Sequence, residues 1–248
     1  MWRRIFSGGR ELFSVMQITA FHSSSKGNLY RVDDGRTRLL IEAGVPIKKI
    51  KEALDFRLSD IAGCLISHSH GDHARGLKDL LKAGVDCYLT QGTADELSLS
   101  GHRLHIIKAG EQFQVGTWTV LPFETVHNTS EPVGFLLASG KDRLMFATDT
   151  QFIPVKFRGL TAIMIEIDFD RDTMERQIQE GGDSMAHAKQ VLANHLSLQT
   201  ALGFFAANDM SQVREIHLLH LSSGNSDAER FRREVQRETG KPVYVAGE

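Results

Sequence analysis

Short stretches of apolar residues, some continuous and some alternating with polar ones, recur along the chain and predict a protein rich in β-strands. Gly, Ser, Asp and Pro residues bound most of these stretches, as expected where strands give way to turns. The strands predicted on this basis are Ile18–His22, Leu29–Asp33, Arg38–Glu42, Gly63–Ser67, Asp86–Thr90, His105–Lys108, Trp118–Phe123, Gly134–Ser139, Arg143–Thr148, Ala162–Ile167, Glu215–Leu219 and Val243–Ala246.

Apolar residues with helical spacing separate several of these strands. Ser184 and Ser197 precede two of the helical stretches and are suitable N-caps. The alternation favours an α/β fold, with two sheets and helices on their outer faces, over a single doubly wound sheet. The predicted helices are Lys48–Asp55, His73–Ala83, Ala94–Leu99, Ala186–His195, Leu198–Asn208 and Asp227–Thr239.

The composition is that of a globular domain. The chain has 248 residues, of which 41% are hydrophobic and 24% charged, which fits one compact domain. Its net charge of −2 provides no overall basic field for nucleic acid, although a local basic face would suffice. Cys64 and Cys87 lie in apolar stretches, so we expect buried thiols and a metal site, if any, built from nitrogen and oxygen.

Residues 1–15 start with basic residues but contain neither a long apolar centre nor a small-residue cleavage site, so they do not resemble a secretion signal. No apolar run approaches the length of a membrane span. We therefore predict an N-terminal extension over residues 1–15, a single domain over residues 16–248, and a cytoplasmic protein without membrane attachment.

The strongest chemical signal is the segment Ser67-His68-Ser69-His70-Gly71-Asp72-His73, which directly follows a predicted buried strand. Three imidazoles and a carboxylate within six residues are the ligands that zinc uses, with manganese or iron as substitutes. We expect Gly71 to let the backbone bend tightly. The alternative, a histidine-rich surface loop, does not explain this density of ligands after a buried strand.

Further ligands must come from other strands, because one loop cannot fill two coordination shells. His127, Asp149 and His220 each close an apolar strand. A carboxylate such as Asp149 can bridge two cations about 3.5–4 Å apart, as in two-metal hydrolases. Taken singly, each of these residues is also compatible with a capped strand end or a hydrogen-bonded histidine.

This order of residues, HxHxDH followed by His, Asp and His, resembles the metallo-β-lactamase superfamily from Met16 onwards. The resemblance implies a four-layer αβ/βα sandwich and two divalent metal ions, with zinc expected and manganese as the alternative. It implies that one metal is held by His68, His70 and His127, that the other is held by Asp72, His73 and His220, and that Asp149 lies between them.

Further segments resemble the YycJ/WalJ branch, which is associated with DNA exonuclease activity. One departure is Glu42 in Glu42-Ala43-Gly44, where the family usually has Asp; the longer side chain implies an altered carboxylate contact to the metal loop. The segments are Ser23-Ser24-Ser25-Lys26-Gly27-Asn28, Lys108-Ala109-Gly110-Glu111, Glu131-Pro132-Val133-Gly134-Phe135, Thr148-Asp149-Thr150, His195-Leu196-Ser197 and His220-Leu221-Ser222.

Two more positions favour a phosphodiester substrate. Glu166 ends a predicted strand, His195 precedes a predicted helix, and both resemble the Glu/His pair of RNase Z-type phosphodiesterases. There the histidine gives a proton to the leaving oxygen and the glutamate orients it, while Asp72 would steer the attacking water. The alternative is that His195 caps a helix and Glu166 forms a structural ion pair.

The sequence therefore predicts a binuclear phosphodiesterase that acts on DNA or RNA. A homodimer is compatible with this prediction. Two basic clusters, Arg75, Lys78 and Lys82 on one helix face and Lys48, Lys49 and Lys51 on another, suit a phosphate backbone, although such stripes are also common on solvated helices. The rival hypotheses are a cyclic-nucleotide phosphodiesterase, a thioester, lactone or β-lactam hydrolase, and a non-catalytic binding module on the same fold.

Overall fold

The computed structural model describes residues 16–180, 185–221 and 227–247. The proposed extension over residues 1–15 and the N-cap Ser184 lie outside these ranges, so both stay predictions.

A six-stranded sheet is built from the first half of the chain, and its strands lie side by side in sequence order. The first three strands are antiparallel neighbours, and the last four run parallel. The strands are β1 (Gln17–His22), β2 (Leu29–Asp33), β3 (Arg38–Ile41), β4 (Ile61–Leu65), β5 (Cys87–Thr90) and β6 (Leu104–Ile107).

A seven-stranded sheet follows, in the order β13-β12-β11-β10-β9-β8-β7. β10 to β13 are parallel, whereas β7 to β10 form an antiparallel meander. The sequence prediction omitted β7, which has only three residues. The strands are β7 (Phe113–Val115), β8 (Trp118–Glu124), β9 (Val133–Ser139), β10 (Asp142–Ala147), β11 (Ala162–Glu166), β12 (Glu215–Leu219) and β13 (Val243–Val245).

The helices cover the outer faces of both sheets. Ser197 caps α7 as predicted, since its side chain accepts a hydrogen bond from the Thr200 backbone N–H. The sequence prediction omitted α5, whose N-terminus is capped by Asp170. The helices of the described residues are α1 (Ile47–Ala53), α2 (Gly71–Ala74), α3 (Leu77–Lys82), α4 (Gln91–Glu96), α5 (Arg171–Gln179), α6 (Met185–Asn194), α7 (Leu198–Ala207) and α8 (Ala228–Thr239), besides the 3-10 turn Leu58–Asp60.

The single helix predicted over His73–Ala83 is wrong, because the chain forms α2 and α3 with a break at Gly76. The Gly76 N–H donates to Ala43 O at 2.7 Å, and a Cβ at this position would lie 2.4 Å from the Val45 carbonyl oxygen. The close approach of a neighbouring backbone therefore requires a glycine here.

Three hydrophobic cores hold the layers together. Side chains of both sheets, among them Tyr30, Trp118 and Phe146, form the central core. A second core lies between the seven-stranded sheet and α7 and α8, and a third lies between the six-stranded sheet and α1, α3 and α4. Each fully buried side chain of this size contributes about 1.5–3 kcal/mol. The arrangement is the four-layer αβ/βα sandwich that the sequence predicted.

Parallel strands bring their carboxyl ends to one edge of the sandwich. β10, β11 and β12 are parallel neighbours, and β8 runs in the same direction because β9 is antiparallel to both β8 and β10. The segments that follow β4, β8, β10, β11 and β12 carry the candidate ligands. Within the described residues, no helix combines the length and apolar character needed to cross a membrane.

Candidate metal centre

The first cluster at this edge contains His68, His70, His127 and Asp149, whose ligand atoms all lie within 4.8 Å of one another. His127 Nε2 is 3.1 Å from His70 Nδ1. His68 Nε2 is 3.7 Å from Asp149 Oδ2. The structure therefore brings together the three imidazoles that the resemblance assigns to one metal.

The second cluster contains Asp72, His73, His220 and again Asp149. Asp72 Oδ2 lies 3.3 Å from His73 Nε2 and 3.2 Å from His220 Nε2. Asp149 approaches His73 through Oδ2 at 3.4 Å and His220 through Oδ1 at 3.9 Å. Because its carboxylate belongs to both clusters, Asp149 has the position of a bridging ligand.

Backbone strain accompanies this arrangement. Glu42, Asp149 and His220 have φ values of 65°, 43° and 51°, in the left-handed region that residues with a side chain rarely adopt. Glu42 and His220 directly follow β3 and β12, and Asp149 lies two residues after the end of β10, so all three lie where a strand ends. Strain of this kind costs about 1–3 kcal/mol per residue and is concentrated at functional sites.

The expectation that Gly71 permits a tight bend is wrong. Gly71 begins α2, its φ is not among the positive values of the chain, and a Cβ there would meet nothing within 4 Å. The close approach occurs instead at Gly44, where a Cβ would lie 1.6 Å from the Asp72 carbonyl oxygen.

Hydrogen bonds fix the orientation of the first cluster. His127 Nδ1 lies 3.0 Å from the carbonyl oxygen of Asn194 at the end of α6. Since a carbonyl only accepts, Nδ1 carries the proton and Nε2 is left to bind a metal. His68 Nδ1 forms a 2.8 Å hydrogen bond with Ser67 Oγ, which leaves its Nε2 directed at Asp149.

Asn28 fixes the orientation of the second cluster, although its role was not predicted. Its Nδ2 lies 3.2 Å from His73 Nε2 and donates to the Asp72 carbonyl oxygen at 3.2 Å. Its Oδ1 accepts from Tyr30, and Ser23 connects Tyr30 to the His220 backbone N–H. The only sequence signal was the position of Asn28 at the end of the Ser23–Asn28 segment.

Glu42 makes long contacts to the segment Ser67–His73, which carries the first ligands. It accepts from the Ser67 N–H at 3.5 Å and lies 3.6 Å from His73 Nδ1 through the same oxygen, Oε2, while its buried Oε1 has no hydrogen-bond partner among the described residues. Burial raises the pKa of Glu42, although the neighbouring His73 and Ser67 lower it. The sequence predicted an altered contact between the Glu42 carboxylate and the metal loop. In the structure this contact is present but long.

The donor set fits divalent metal ions. The buried Nε2 of His68 has no hydrogen-bond partner within the described ranges, and the facing nitrogens of His70 and His127 share one small space. Burial lowers the pKa of His127 to about 4 and that of His68 well below its usual value, which His73 lowers further. Burial raises the pKa of Asp149, but His220 and His73 hold it well below the ordinary value. The neutral imidazoles of His68 and His127 beside this carboxylate are the form that binds metal.

Glu166 and His195 form a pair beside both clusters. Glu166 Oε1 accepts from His195 Nδ1 at 2.5 Å, and Glu166 Oε2 accepts from the Thr150 N–H at 3.0 Å. The His195 ring stacks on that of His220, with centroids 5.7 Å apart and planes at 9°. Burial lowers the pKa of His195, but the charge and hydrogen bond of Glu166 outweigh it and raise this pKa to about 9.

A cavity of about 190 Å³ gives access to these groups. Five of the seven proposed ligands line it together with His195; the full lining consists of Ser25, His70, Asp72, His127, Asn128, Asp149, Gln190, Asn194, His195 and His220. His195 retains 20% of its side-chain exposure, whereas Glu166 is fully buried. The imidazole therefore stands at the boundary between the buried carboxylate and the cavity.

Two further acidic residues were not predicted. Glu96 Oε2 accepts from Ser69 Oγ, and its Oε1 accepts from the Ser130 N–H at 2.9 Å, so it joins the loops on either side of the first cluster. Asp168 Oδ1 lies 3.7 Å from His220 Nδ1. Asp168 could have been recognised from its position two residues after Glu166, whereas no local pattern marks Glu96.

Comparison with known proteins agrees with this architecture. Residues 37–217 match the family model described as the beta-lactamase superfamily domain. The exodeoxyribonuclease YycJ of Bacillus anthracis is 23% identical over 245 residues, which cover 94% of this chain and 92% of the relative. The exodeoxyribonuclease WalJ of Streptococcus pneumoniae serotype 2 is 24% identical over 221 residues, which cover 82% and 81%.

A similar fold occurs in the metallo-beta-lactamase fold protein YhfI of Bacillus subtilis. That structure has a TM-score of 0.69 at 14% identity, covering 94% of this chain and 97% of the other. The predicted resemblance is confirmed by the fold and by the matched domain together. The chain belongs to the beta-lactamase superfamily, as a metal-dependent hydrolase of the metallo-β-lactamase fold.

Proposed function

We propose that this protein is a binuclear metal-dependent phosphodiesterase that acts on nucleic acid as an exonuclease. The observation that carries the proposal is the 2.5 Å contact between His195 Nδ1 and Glu166 Oε1 beside the two ligand clusters. The names of the YycJ and WalJ relatives, both exodeoxyribonucleases, support the same substrate class.

Two metal ions would be held by the residues that the sequence indicated. His68, His70 and His127 would hold the first, and Asp72, His73 and His220 the second, with Asp149 shared. We propose zinc, with manganese as the alternative, because imidazole and carboxylate donors suit both. When bound, such a pair polarises a phosphoryl oxygen and makes water a stronger nucleophile.

The side chains of the protein would supply orientation and a proton. Asp72, 19% exposed at its side chain, accepts a hydrogen bond from the attacking water and directs it at phosphorus. His195 donates the proton on Nε2 to the departing oxygen, while Glu166 holds the proton on Nδ1. Because Glu166 also accepts from Thr150, the next residue after Asp149, the donor and the shared ligand keep a fixed distance.

The leaving group distinguishes this proposal from the hypothesis of a thioester hydrolase. An alkoxide released from a phosphodiester needs a proton, whereas the thiolate released from a thioester is already stable near neutral pH. A hydrogen-bonded imidazole beside the ligands is therefore more useful to a phosphodiesterase. A binding module without chemistry would need neither the paired donor nor a complete ligand set.

A metal analysis combined with a substrate panel tests the proposal. The purified chain, loaded with Zn²⁺ or Mn²⁺, is incubated with bis-p-nitrophenyl phosphate, end-labelled DNA and RNA, cyclic mononucleotides and a thioester. We expect about two metal ions per chain, cleavage of the aryl ester, and stepwise shortening of the nucleic acid from one end.

Asp72→Ala serves as the negative control and should abolish turnover on every substrate. Metal binding without phosphodiester cleavage would refute the proposal. If cyclic mononucleotides were turned over faster than DNA ends, the protein would be a cyclic-nucleotide phosphodiesterase instead of a nuclease. The homodimer and the cytoplasmic location stay predictions.

A further inference from the structure

A second cavity lies beside the segment Ser67–His73, here called the metal loop, on the side away from the proposed metal ligands. It has a volume of about 220 Å³ and contains two residues of the loop, two cations and an apolar wall. Its lining consists of Ser69, Gly71, Ala74, Arg75, Lys78, Leu97 and Leu99.

The cations of this cavity are available to a ligand. Within the described ranges, neither Arg75 nor Lys78 forms an ion pair, and both are exposed. Lys82, which shares the same predicted stripe, does not line the cavity and is paired with Asp79 at 3.4 Å. Arg75 and Lys78 are therefore cations without an ion-pair partner among the described residues, and they line the cavity. Lys82 is paired with an acidic residue and lies outside it.

The nearby acidic groups do not neutralise the cavity. The carboxylate of Glu96, which accepts hydrogen bonds from the neutral Ser69 and Ser130, adds at most one negative charge against the two cations of the lining. Asp72 directs its carboxylate to His73 and His220 inside the metal centre. The cavity consequently carries a net positive charge, which suits a phosphate.

The position of the cavity connects it to the metal centre. Ser69 and Gly71 alternate along the chain with His68, His70 and Asp72, so the loop itself separates the two cavities. Because Ser69 and Gly71 line one cavity while His70 and Asp72 line the other, a strand that crosses this short segment contacts both cavities. Leu97 and Leu99 are half-buried and provide an apolar surface for a sugar.

We infer that this cavity binds the phosphate and sugar of the nucleotide next to the bond that is cleaved. The inference rests on the proposed phosphodiesterase function and specifies its substrate as a strand rather than a single cyclic nucleotide. Arg75 and Lys78 are positioning residues, because they hold the strand without contacting the reacting atoms.

The test compares the metal-loaded wild type with the double variant Arg75→Ala/Lys78→Ala. The rate constant kcat/KM is measured for a single-stranded DNA oligonucleotide at several salt concentrations, and for bis-p-nitrophenyl phosphate, which has no second phosphate to place in the second cavity. We expect kcat/KM for DNA to fall about tenfold or more relative to that for the aryl ester. The slope of log kcat/KM against log salt should become shallower by about 1.4, or about 0.7 for each cation.

Two matched variants separate charge from position. Lys82→Ala removes a cation of the same stripe outside the cavity and should behave as the wild type on both substrates. Arg75→Lys/Lys78→Arg preserves both charges and should keep the salt slope of the wild type. A double alanine variant with unchanged DNA kinetics, or with an equal loss on both substrates, would overturn the inference while leaving the phosphodiesterase proposal intact. A wild type that cleaves neither substrate would refute both.

Discussion

His195 contacts Glu166 through Nδ1 and also lines the cavity of the metal centre. If it protonates the leaving oxygen, the cost of removing it must depend on the basicity of that oxygen. We expect His195→Ala to lower kcat by about 10²–10⁴-fold on DNA, and much less on bis-p-nitrophenyl phosphate, whose nitrophenolate leaves without a proton.

Parallel measurements of kcat on both substrates check this prediction. Glu166→Gln should also lower kcat on DNA more than on the aryl ester, but by a smaller factor. It weakens the hydrogen bond that orients His195 and leaves His195 itself in place. An equal loss on both substrates would mean that His195 serves the structure of the site.

Gly44 shows how closely two backbones pass beneath the second cluster. A Cβ at this position would lie 1.6 Å from the Asp72 carbonyl oxygen and 2.6 Å from the Asn28 backbone nitrogen. Since backbone atoms surround it, no flexible side chain can move aside. We expect Gly44→Ala to lower the free energy of unfolding by about 3 kcal/mol or more and to reduce the metal content.

Urea unfolding and metal analysis measure both effects. Gly71→Ala is the matched control, because that position is helical and open, and alanine favours a helix by up to about 1 kcal/mol over glycine. The prediction fails if the two variants are equally stable.

At the scale of elements, the first cluster depends on the loops that follow β4 and β8, which are joined by hydrogen bonds to one carboxylate. Glu96, the last residue of α4, accepts from Ser69 of one loop and from Ser130 of the other. We expect Glu96→Ala to weaken the affinity for one of the two metals by about 10–100-fold, the usual cost of removing a group that orients metal ligands. The affinity of the second site should change less.

Competition with a chromogenic chelator measures both affinities. Asp95→Asn provides the comparison, since the Asp95 carboxylate accepts from the Gln91 side chain within the same helix. Two unchanged affinities in Glu96→Ala would show that the loops hold their geometry without this carboxylate.

The elements that the sequence predicted well have strong local patterns. β2 and β12 match their predicted bounds, because apolar residues alternate with polar ones along most of each strand. α5 was missed because only Met174 and Ile178 give it an apolar face. The break between α2 and α3 could not be predicted either, because it depends on the Ala43 and Val45 carbonyls from a distant segment.

At the scale of the whole molecule, Asp34 joins the two sheets at the edge opposite the metal centre. It lies between β2 and β3, and its Oδ2 accepts from Thr117 and Ser139 of the other sheet. Burial raises its pKa, but these bonds, together with those from the Thr37 and Arg36 N–H groups, lower it overall. Its stabilising effect is therefore complete above the ordinary carboxyl pKa and lost as the pH falls through the lower, folded-state value.

We expect Asp34→Asn to lower the free energy of unfolding by about 1 kcal/mol at neutral pH, with the difference from the wild type shrinking in acid. Thermal unfolding across a pH series measures it. Asp55→Asn, at an exposed carboxylate paired with Arg57, should leave the profile of the wild type unchanged. If the difference in unfolding free energy between Asp34→Asn and the wild type persisted or grew in acid, the pKa of Asp34 would not be lowered by folding.

The proposed site was easier to predict than the contacts that support it. His68, His70, Asp72 and His73 lie within six residues, so their chemistry is visible as a local pattern. Asn28 donates to Asp72 across 44 residues, and Ser69 contacts Glu96 across 27. Contacts of this kind depend on the order of strands in the sheets, which no local pattern contains.

Both clusters combine residues from the two sheets, since His68 and His70 follow β4, His127 follows β8, and Asp72 and His73 meet His220 after β12. A chain emerging from the ribosome therefore cannot assemble the second cluster until His220 has left the exit tunnel and β12 has joined its sheet. Cations would enter a finished scaffold late in synthesis, and a truncated product ending before that residue would be released without an intact centre.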